Sequence, residues 1–196
     1  MKRDIILAGV GGQGIISIAA IIGYAALQQG LFLKQSEVHG MSQRGGDVSS
    51  NLRISDKEIA SDLIPCGKAD CIISIEPMES LRYLPYLSPG GWLITNTKPF
   101  INIPTYPDIE KILGEIRSIP HHIALDADSI AKDAGSVRAA NTVILGAASP
   151  FLDMEYEKFE SAIRYIFRNK GDKLIQMNLV ALKAGRDYAD NHMDHD

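Results

Sequence analysis

The stretch Ile5-Ile6-Leu7-Ala8-Gly9-Val10-Gly11-Gly12-Gln13-Gly14-Ile15-Ile16-Ser17-Ile18-Ala19 decides the fold class. Its first four residues form a continuous apolar run, the pattern of a strand covered on both faces of a parallel sheet. Past the glycines, Ile15, Ile18, Ala19, Ile22 and Ala26 recur at helical spacing until Gly30, a natural helix stop. Leu31–Leu33 reads as the next strand, closing a strand-helix-strand unit for which a right-handed crossover is nearly obligatory. The expected class is therefore α/β: a Rossmann-like three-layer sandwich with a mostly parallel sheet.

Working outward, Val48–Ile54 and Glu58–Ile64 read as two extended segments around a turn at Ser55-Asp56-Lys57, which predicts an antiparallel hairpin inserted in the fold. Parallel character resumes with a strand at Cys71–Ile75, a helix at Pro77–Leu87, a Pro89-Gly90-Gly91 turn and a strand at Trp92–Thr95. A proline-rich connection over Pro99–Pro107 leads to a helix near Asp108–Ile116 and a strand at Ile123–Asp126. Helical spacing then dominates at 127–134, 141–147, 155–169 and 173–189. No repeat or composition shift divides the chain, so one domain over 1–190 is expected, followed by a flexible polar tail over 191–196.

A chain of 196 residues, 45% hydrophobic and 22% charged, has the composition of a globular domain with a core of its own. The net charge is -4 and the basic residues are scattered, which argues against neutralising nucleic-acid phosphates. Cys66 and Cys71, the two cysteines, lack the spacing of a zinc or redox site and are too few for an iron-sulfur cluster. Met1-Lys2-Arg3 and the apolar Ile15–Leu27 briefly imitate a signal peptide, but Asp4 interrupts the basic start and the glycine turn separates the two parts. No apolar run reaches the roughly 20 residues of a membrane span. A cytoplasmic protein without membrane contact is expected.

Two constellations carry chemistry. Gly9, Gly11 and Gly14 match GxGxxG between strand and helix, where backbone donors and a helix N-terminus are aimed at an anion. A dinucleotide site also requires an acid about 20 positions on, at the end of the second strand. Glu37 is the only acid near that point, and it lies inside a polar stretch. That stretch, Ser36-Glu37-Val38-His39-Gly40-Met41-Ser42-Gln43-Arg44-Gly45-Gly46, has donors, acceptors and glycines but no apolar period, and reads as a binding loop. Elsewhere the plainer readings hold. Trp92 is a packing residue, Asn141 caps a helix beside Arg138, and Asp126, Asp128 and Asp133 serve helix starts or solvent. His192 and His195 are solvated, and no metal site is expected.

Together, Gly11-Gly12-Gln13-Gly14 and the segment from His39 to Gly46, with Arg44-Gly45-Gly46 at its end, resemble the gamma-type domain of the 2-oxoacid:ferredoxin oxidoreductases. Within that family the wording His-Gly-Met-Ser-Gln-Arg-Gly-Gly is most similar to the small subunits of the indolepyruvate enzymes, and the resemblance runs from Met1 to about Ala189. It implies a heteromeric oxidoreductase that decarboxylates indolepyruvate and other aryl pyruvates with coenzyme A to aryl-acetyl-CoA, carbon dioxide and reduced ferredoxin. It also implies that thiamine diphosphate, magnesium and the iron-sulfur clusters sit on a larger partner, with coenzyme A as co-substrate. No Gly-Asp-Gly and downstream Asn-Asn of a thiamine diphosphate site occurs, nor a Walker A lysine.

On this reading Gly9, Gly11, Gly12, Gln13 and Gly14 form an anion or interface turn, conceivably for a coenzyme A phosphate. His39, Ser42, Gln43, Arg44, Gly45 and Gly46 form the substrate or interface segment, with Arg44 as a charged fork for carboxylate or phosphate. No catalytic residue is assigned; His39 and Glu37 are the weak candidates for proton transfer. The chain is expected to be inactive alone, and self-association in isolation would be unsurprising. Two alternatives stay open: a freestanding NAD-binding oxidoreductase, and a non-catalytic interaction module.

Overall fold

The structure, a computed structural model, describes residues 1–40, 45–101 and 103–193. A six-stranded sheet is built from β1 (Lys2–Val10), β2 (Phe32–His39), β3 (Asp47–Ser55), β4 (Ala69–Ser74), β5 (Leu87–Asn96) and β6 (His122–Leu125) in the order β2-β3-β1-β4-β5-β6. The pairs β1/β4, β4/β5 and β5/β6 are parallel, whereas β3 is antiparallel to both β1 and β2. Among the described residues seven α-helices accompany them: α1 (Ile15–Gln28), α2 (Pro77–Arg82), α3 (Ile109–Arg117), α4 (Ala127–Asp133), α5 (Ala140–Ala148), α6 (Tyr156–Phe167) and α7 (Asp172–Met193). The expected α/β sandwich is present.

Apolar side chains alternate between the two faces of the sheet because successive strand residues point oppositely. Ile5 and Leu7 of β1 join α1, α5, α6 and α7 in the larger core, while Ile6 packs with Ile72, Leu93, Ile112 and Ile116 on the face covered by α2 and α3. Within α5 every residue from Thr142 to Ala148 is buried. Its crossing with α7 depends on glycine: a Cβ on Gly146 would lie 2.0 Å from the Leu182 carbonyl oxygen, and one on Gly185 would lie 1.9 Å from that of Val143.

The hairpin exists, but its arms differ from those expected. It pairs β2 with β3, His39 opposite Val48 through Phe32 opposite Ser55. Residues 58–64 form no strand. They run beside the sheet, held by Arg53, which donates to the carbonyls of Ser61 (3.1 Å) and Leu63 (2.9 Å), and by Lys34, which donates to that of Ala60 (3.1 Å). The expected second arm is thus irregular backbone tied to the sheet by side chains, and Ser36–His39, expected in a loop, belongs to β2.

Pro89-Gly90-Gly91, expected as a turn, lies inside β5, where the pairing jumps from Ala69–Leu87 to Cys71–Trp92. A Cβ on Gly91 would meet the Ala69 oxygen at 2.8 Å, so the irregularity needs glycine there. The expected helix over Pro77–Leu87 ends at Arg82, with a short 3₁₀ turn at Leu84–Tyr86. At the other end α7 carries on through Asn191 to Met193, into the stretch expected to fray. No helix among the described residues is long and apolar enough to cross a membrane.

Candidate functional site

The carboxyl ends of β1, β4, β5 and β6 converge on a cleft of about 600 Å³, lined by Gly12, Gln13 and Gly14 on one side and by Ile75, Asn96, Lys98, Phe100, Asp128, Arg138 and Asn141 on the others. Open α/β sheets bind ligands in this position, because loops leave the strands in diverging directions there and helix N-termini point inward. Two helices of adequate length begin at the cleft. α1 starts at Gly14, whose φ of +88° no residue with a side chain adopts readily, and it carries neither a side-chain cap nor an acid in its first turn. α5 starts at Ala140 as the continuation of a 3₁₀ turn over Val137–Ala139 that Ser136 caps, so the Ala140 N–H already bonds the Val137 carbonyl and the Thr142 N–H the Asn141 amide oxygen. The uncapped start of α1 and its dipole make this rim receptive to negative charge.

The glycine turn is built for close approach. Gly12 (φ +98°) has nothing within 4 Å of where a Cβ would stand, so its backbone faces open space. Behind Gly14, Asn141 Nδ2 donates to the Gly14 carbonyl at 3.4 Å, and a Cβ on Gly14 would sit 2.4 Å from that nitrogen. Asn141, expected as a helix cap, is instead inside α5, whose preceding residue is Ala139; its Oδ1 accepts from Thr142 N–H and its amide ties α5 to α1. Gln13 folds back so that Oε1 accepts the Val10 N–H at 2.8 Å, which commits that oxygen to the turn rather than to a ligand. Gly9, where β1 ends, is hemmed in by Ile15 and Gln13, its role being packing.

The two sequence motifs meet. Gly11 N–H donates to the Gly46 carbonyl at 2.9 Å, so the glycine turn and the end of the second segment are one surface. Gly45 has a φ of +75°. Ser42, Gln43 and Arg44 lie outside the described residues. On the far side of the turn a second cleft of about 320 Å³ is lined by Gly11, Gly12, Gly14, Ile16, Ser17, Val48 and His39. His39 pairs through Nε2 with Glu37 Oε1, and its side chain is 56% exposed against 22% for Glu37. The pair lies at the rim of this second cleft, away from Lys98 and Arg138.

Opposite the glycines, Asn96 organises the wall. Its Oδ1 accepts from the backbone N–H groups of Lys98 (3.3 Å) and Ala127 (3.1 Å), and its Nδ2 donates to Asp128 at 2.9 Å. Lys98 Nζ stands 3.1 Å from Asp126. Burial alone would raise the Asp126 carboxyl, but the Ser129 N–H and hydroxyl and the Lys98 charge outweigh it and hold it below its ordinary value. Behind this wall the fully buried Glu76 accepts from Phe100 N–H (3.2 Å) and the Tyr106 hydroxyl (2.5 Å) through Oε1, and from Glu79 N–H (2.9 Å) through Oε2. Burial first, then the Glu76 hydrogen bond and charge, push the Tyr106 phenol far up, so it stays a donor.

Of the expected site, the glycine turn lines the cleft and His39 borders its neighbour. Lys98, Phe100, Asn96 and Glu76 were not anticipated. Their one sequence signal is position, directly after an apolar strand, where such folds place ligand contacts. The expected plain roles of Asp128 and Arg138 miss that both face the cleft. For a dinucleotide the geometry is poor. The strand after α1 should lie beside β1 to bring its acid to the ribose, but antiparallel β3 stands between them, and Glu37 is engaged with His39. Of the two cysteines, Cys66 is exposed and Cys71 buried, the Cys71 thiol being pushed up by burial and then by Asp70. No group of three or more His, Cys, Asp or Glu suited to a metal occurs among the described residues.

Comparison with known proteins gives this geometry a context. Residues 4–188 match the pyruvate ferredoxin/flavodoxin oxidoreductase family. The chain is 39% identical to indolepyruvate oxidoreductase subunit IorB of Archaeoglobus fulgidus, with 96% of each chain covered. It is 37% identical to the subunit of that name in Pyrococcus horikoshii, with 94% of each covered. Among solved structures, the gamma subunit of a keto/oxoacid ferredoxin oxidoreductase from Geobacter sulfurreducens superposes with a TM-score of 0.71 at 25% identity, over 96% of this chain and 99% of that one. The 2-oxoglutarate:ferredoxin oxidoreductase of Magnetococcus marinus, solved with 2-oxoglutarate, coenzyme A and succinyl-CoA, shares the fold with a TM-score of 0.76 at 22% identity, over 97% of this chain and 31% of that one.

Proposed function

We infer the function from one premise: the chain belongs to the pyruvate ferredoxin/flavodoxin oxidoreductase family. On that premise it is the small subunit of an indolepyruvate:ferredoxin oxidoreductase. The complex decarboxylates indolepyruvate and related aryl pyruvates oxidatively, joins the acyl group to coenzyme A and passes the electrons to ferredoxin. The observation that carries this reading is the end-to-end correspondence with indolepyruvate oxidoreductase subunits of the same length. A cytoplasmic location goes with it.

Thiamine diphosphate and iron-sulfur clusters, carried by a larger partner, supply the carbanion chemistry and the electron path when bound. Two cysteines on this chain are too few for a four-thiolate cluster. What its own residues do is bind and orient. The open backbone at Gly12, the N-terminus of α1, Lys98 and Arg138 together suit the phosphates of coenzyme A. Arg44, outside the described residues, supplies a second fork for carboxylate or phosphate. His39, beside the second cleft, and its partner Glu37 are the candidates for proton transfer.

The test is co-expression with the large subunit and an assay of indolepyruvate-dependent ferredoxin reduction. Activity that requires both chains and falls on Arg44→Ala supports the reading. Failure to associate, together with NAD binding by this chain alone, sinks it. Association with activity indifferent to Arg44 and Arg138 leaves only a structural module.

A further inference from the structure

We propose that Glu76 is a positioning residue for the cleft, fixing the Lys98–Phe100 wall from behind; the proposal rests on the reading of that cleft as the coenzyme A site. Glu76 is fully buried, and its three side-chain partners, Phe100 N–H, Tyr106 O–H and Glu79 N–H, are neutral donors. A buried carboxyl whose two oxygens are shared among three donors fixes all three relative to one another, since losing it would leave each of them without this acceptor.

Those donors come from separate parts of the chain. Glu79 N–H belongs to the first turn of α2, which Glu76 caps and which packs against the sheet. Phe100 and Tyr106 lie within the connection between β5 and α3, and Lys98, Pro99 and Phe100 form the cleft wall opposite the glycine turn. Ile75, adjacent to Glu76, lines the same cleft. One side chain thus joins a rigid helix start to a ligand-facing segment.

Tyr106 at one end of that segment packs against the smaller core, but packing does little for the described residues nearer the cleft. Phe100 is 44% exposed, Ile101 72% and Ile103 40%. Its course therefore depends on hydrogen bonds, from Asn96 to Lys98 N–H at one point and from Glu76 to Phe100 N–H at the next. A glutamine at position 76 presents one oxygen and one NH₂ group to donors on both sides, so either the helix cap or the wall loses its acceptor. The residue acts through the wall and touches no substrate.

The experiment uses the two-subunit enzyme and measures kcat and KM for coenzyme A and for indolepyruvate. Glu76→Gln is expected to raise KM for coenzyme A about tenfold, with kcat at saturating coenzyme A and KM for indolepyruvate within about twofold. Tyr106→Phe should move KM for coenzyme A the same way by about threefold, and decides the matter alone where Glu76→Gln does not assemble. Arg138→Ala separates the two claims. If it raises KM for coenzyme A while Glu76→Gln and Tyr106→Phe do not, the positioning role is overturned and the coenzyme A reading stands. If Arg138→Ala changes nothing, that reading fails, and hydrogen exchange at the Phe100 amide decides for Glu76: faster exchange in Glu76→Gln supports the role, and unchanged exchange ends it.

Discussion

β1 and β2 flank the same strand, β3, and are nearly equal in length, yet they are held by different forces. In β1 every residue from Asp4 to Val10 is buried, whereas no residue of β2 is. Burying an aliphatic side chain is worth about 1.5–3 kcal/mol, so β1 is fixed by the removal of Ile5, Ile6 and Leu7 from water. β2 has its backbone ladder, small polar pairs such as Gln35 with Ser50 at 3.1 Å, and one apolar contact, half-buried Leu33 against the larger core. It is also the edge of the sheet, with Phe32 and Val38 at least half exposed. A ladder with little burial places a strand, while full burial makes it indispensable.

The largest effect that tests this contrast is expected at Arg53, on the strand between the two. Its guanidinium bonds Asp4, which is fully buried, at 2.7 and 3.0 Å and also holds the segment beside the sheet. Arg53→Met leaves that carboxylate to Lys2 alone and should cost about 3–5 kcal/mol in urea unfolding. Next comes Leu7→Ala in β1, expected to cost about 3 kcal/mol by the same measurement, because the cavity cannot collapse between sheet and helices.

Acid supplies a third test. Burial by itself would raise Asp4, but the hydrogen bonds and charges of Arg53 and Lys2 outweigh it and hold the carboxyl below its ordinary 3.8. A depressed carboxyl contributes stability above its ordinary pKa and loses it as pH falls through the folded value. Unfolding free energy should therefore drop below about pH 4, and the drop should be shallower in Arg53→Met, where the chief cause of the depression is gone. The smallest effect belongs to β2: Val38→Ser should change stability by less than about 0.5 kcal/mol. A loss as large as that of Leu7→Ala would show that β2 is buried in solution and end the contrast.

The same division explains what could be read in advance. The apolar runs of β1 and β4 and the helical spacing of α1 announce themselves because burial imposes a pattern on side chains. β2, Phe32-Leu33-Lys34-Gln35-Ser36-Glu37-Val38-His39, carries no such pattern, since neither of its faces is well covered, and its polar half looked like loop. Residues 58–64 did the reverse, showing apolar side chains on backbone that joins no strand ladder and is held by Arg53 and Lys34 instead. At the cleft the glycines were visible because a tight turn needs them. Lys98, Asn96 and Glu76 were not, because a lysine, an asparagine or a glutamate after a strand looks the same whether it faces solvent or a ligand.

By itself the sequence determined the α/β class, the glycine turn between β1 and α1 and the resemblance that family membership bears out, because local periodicity, turn sterics and motif wording are properties of adjacent residues. Only the tertiary structure decided which strand pairs with β3, that Gly11 meets Gly46, and that Glu76 reaches Phe100. These are contacts between residues far apart in the chain, and their geometry is set by how the layers pack.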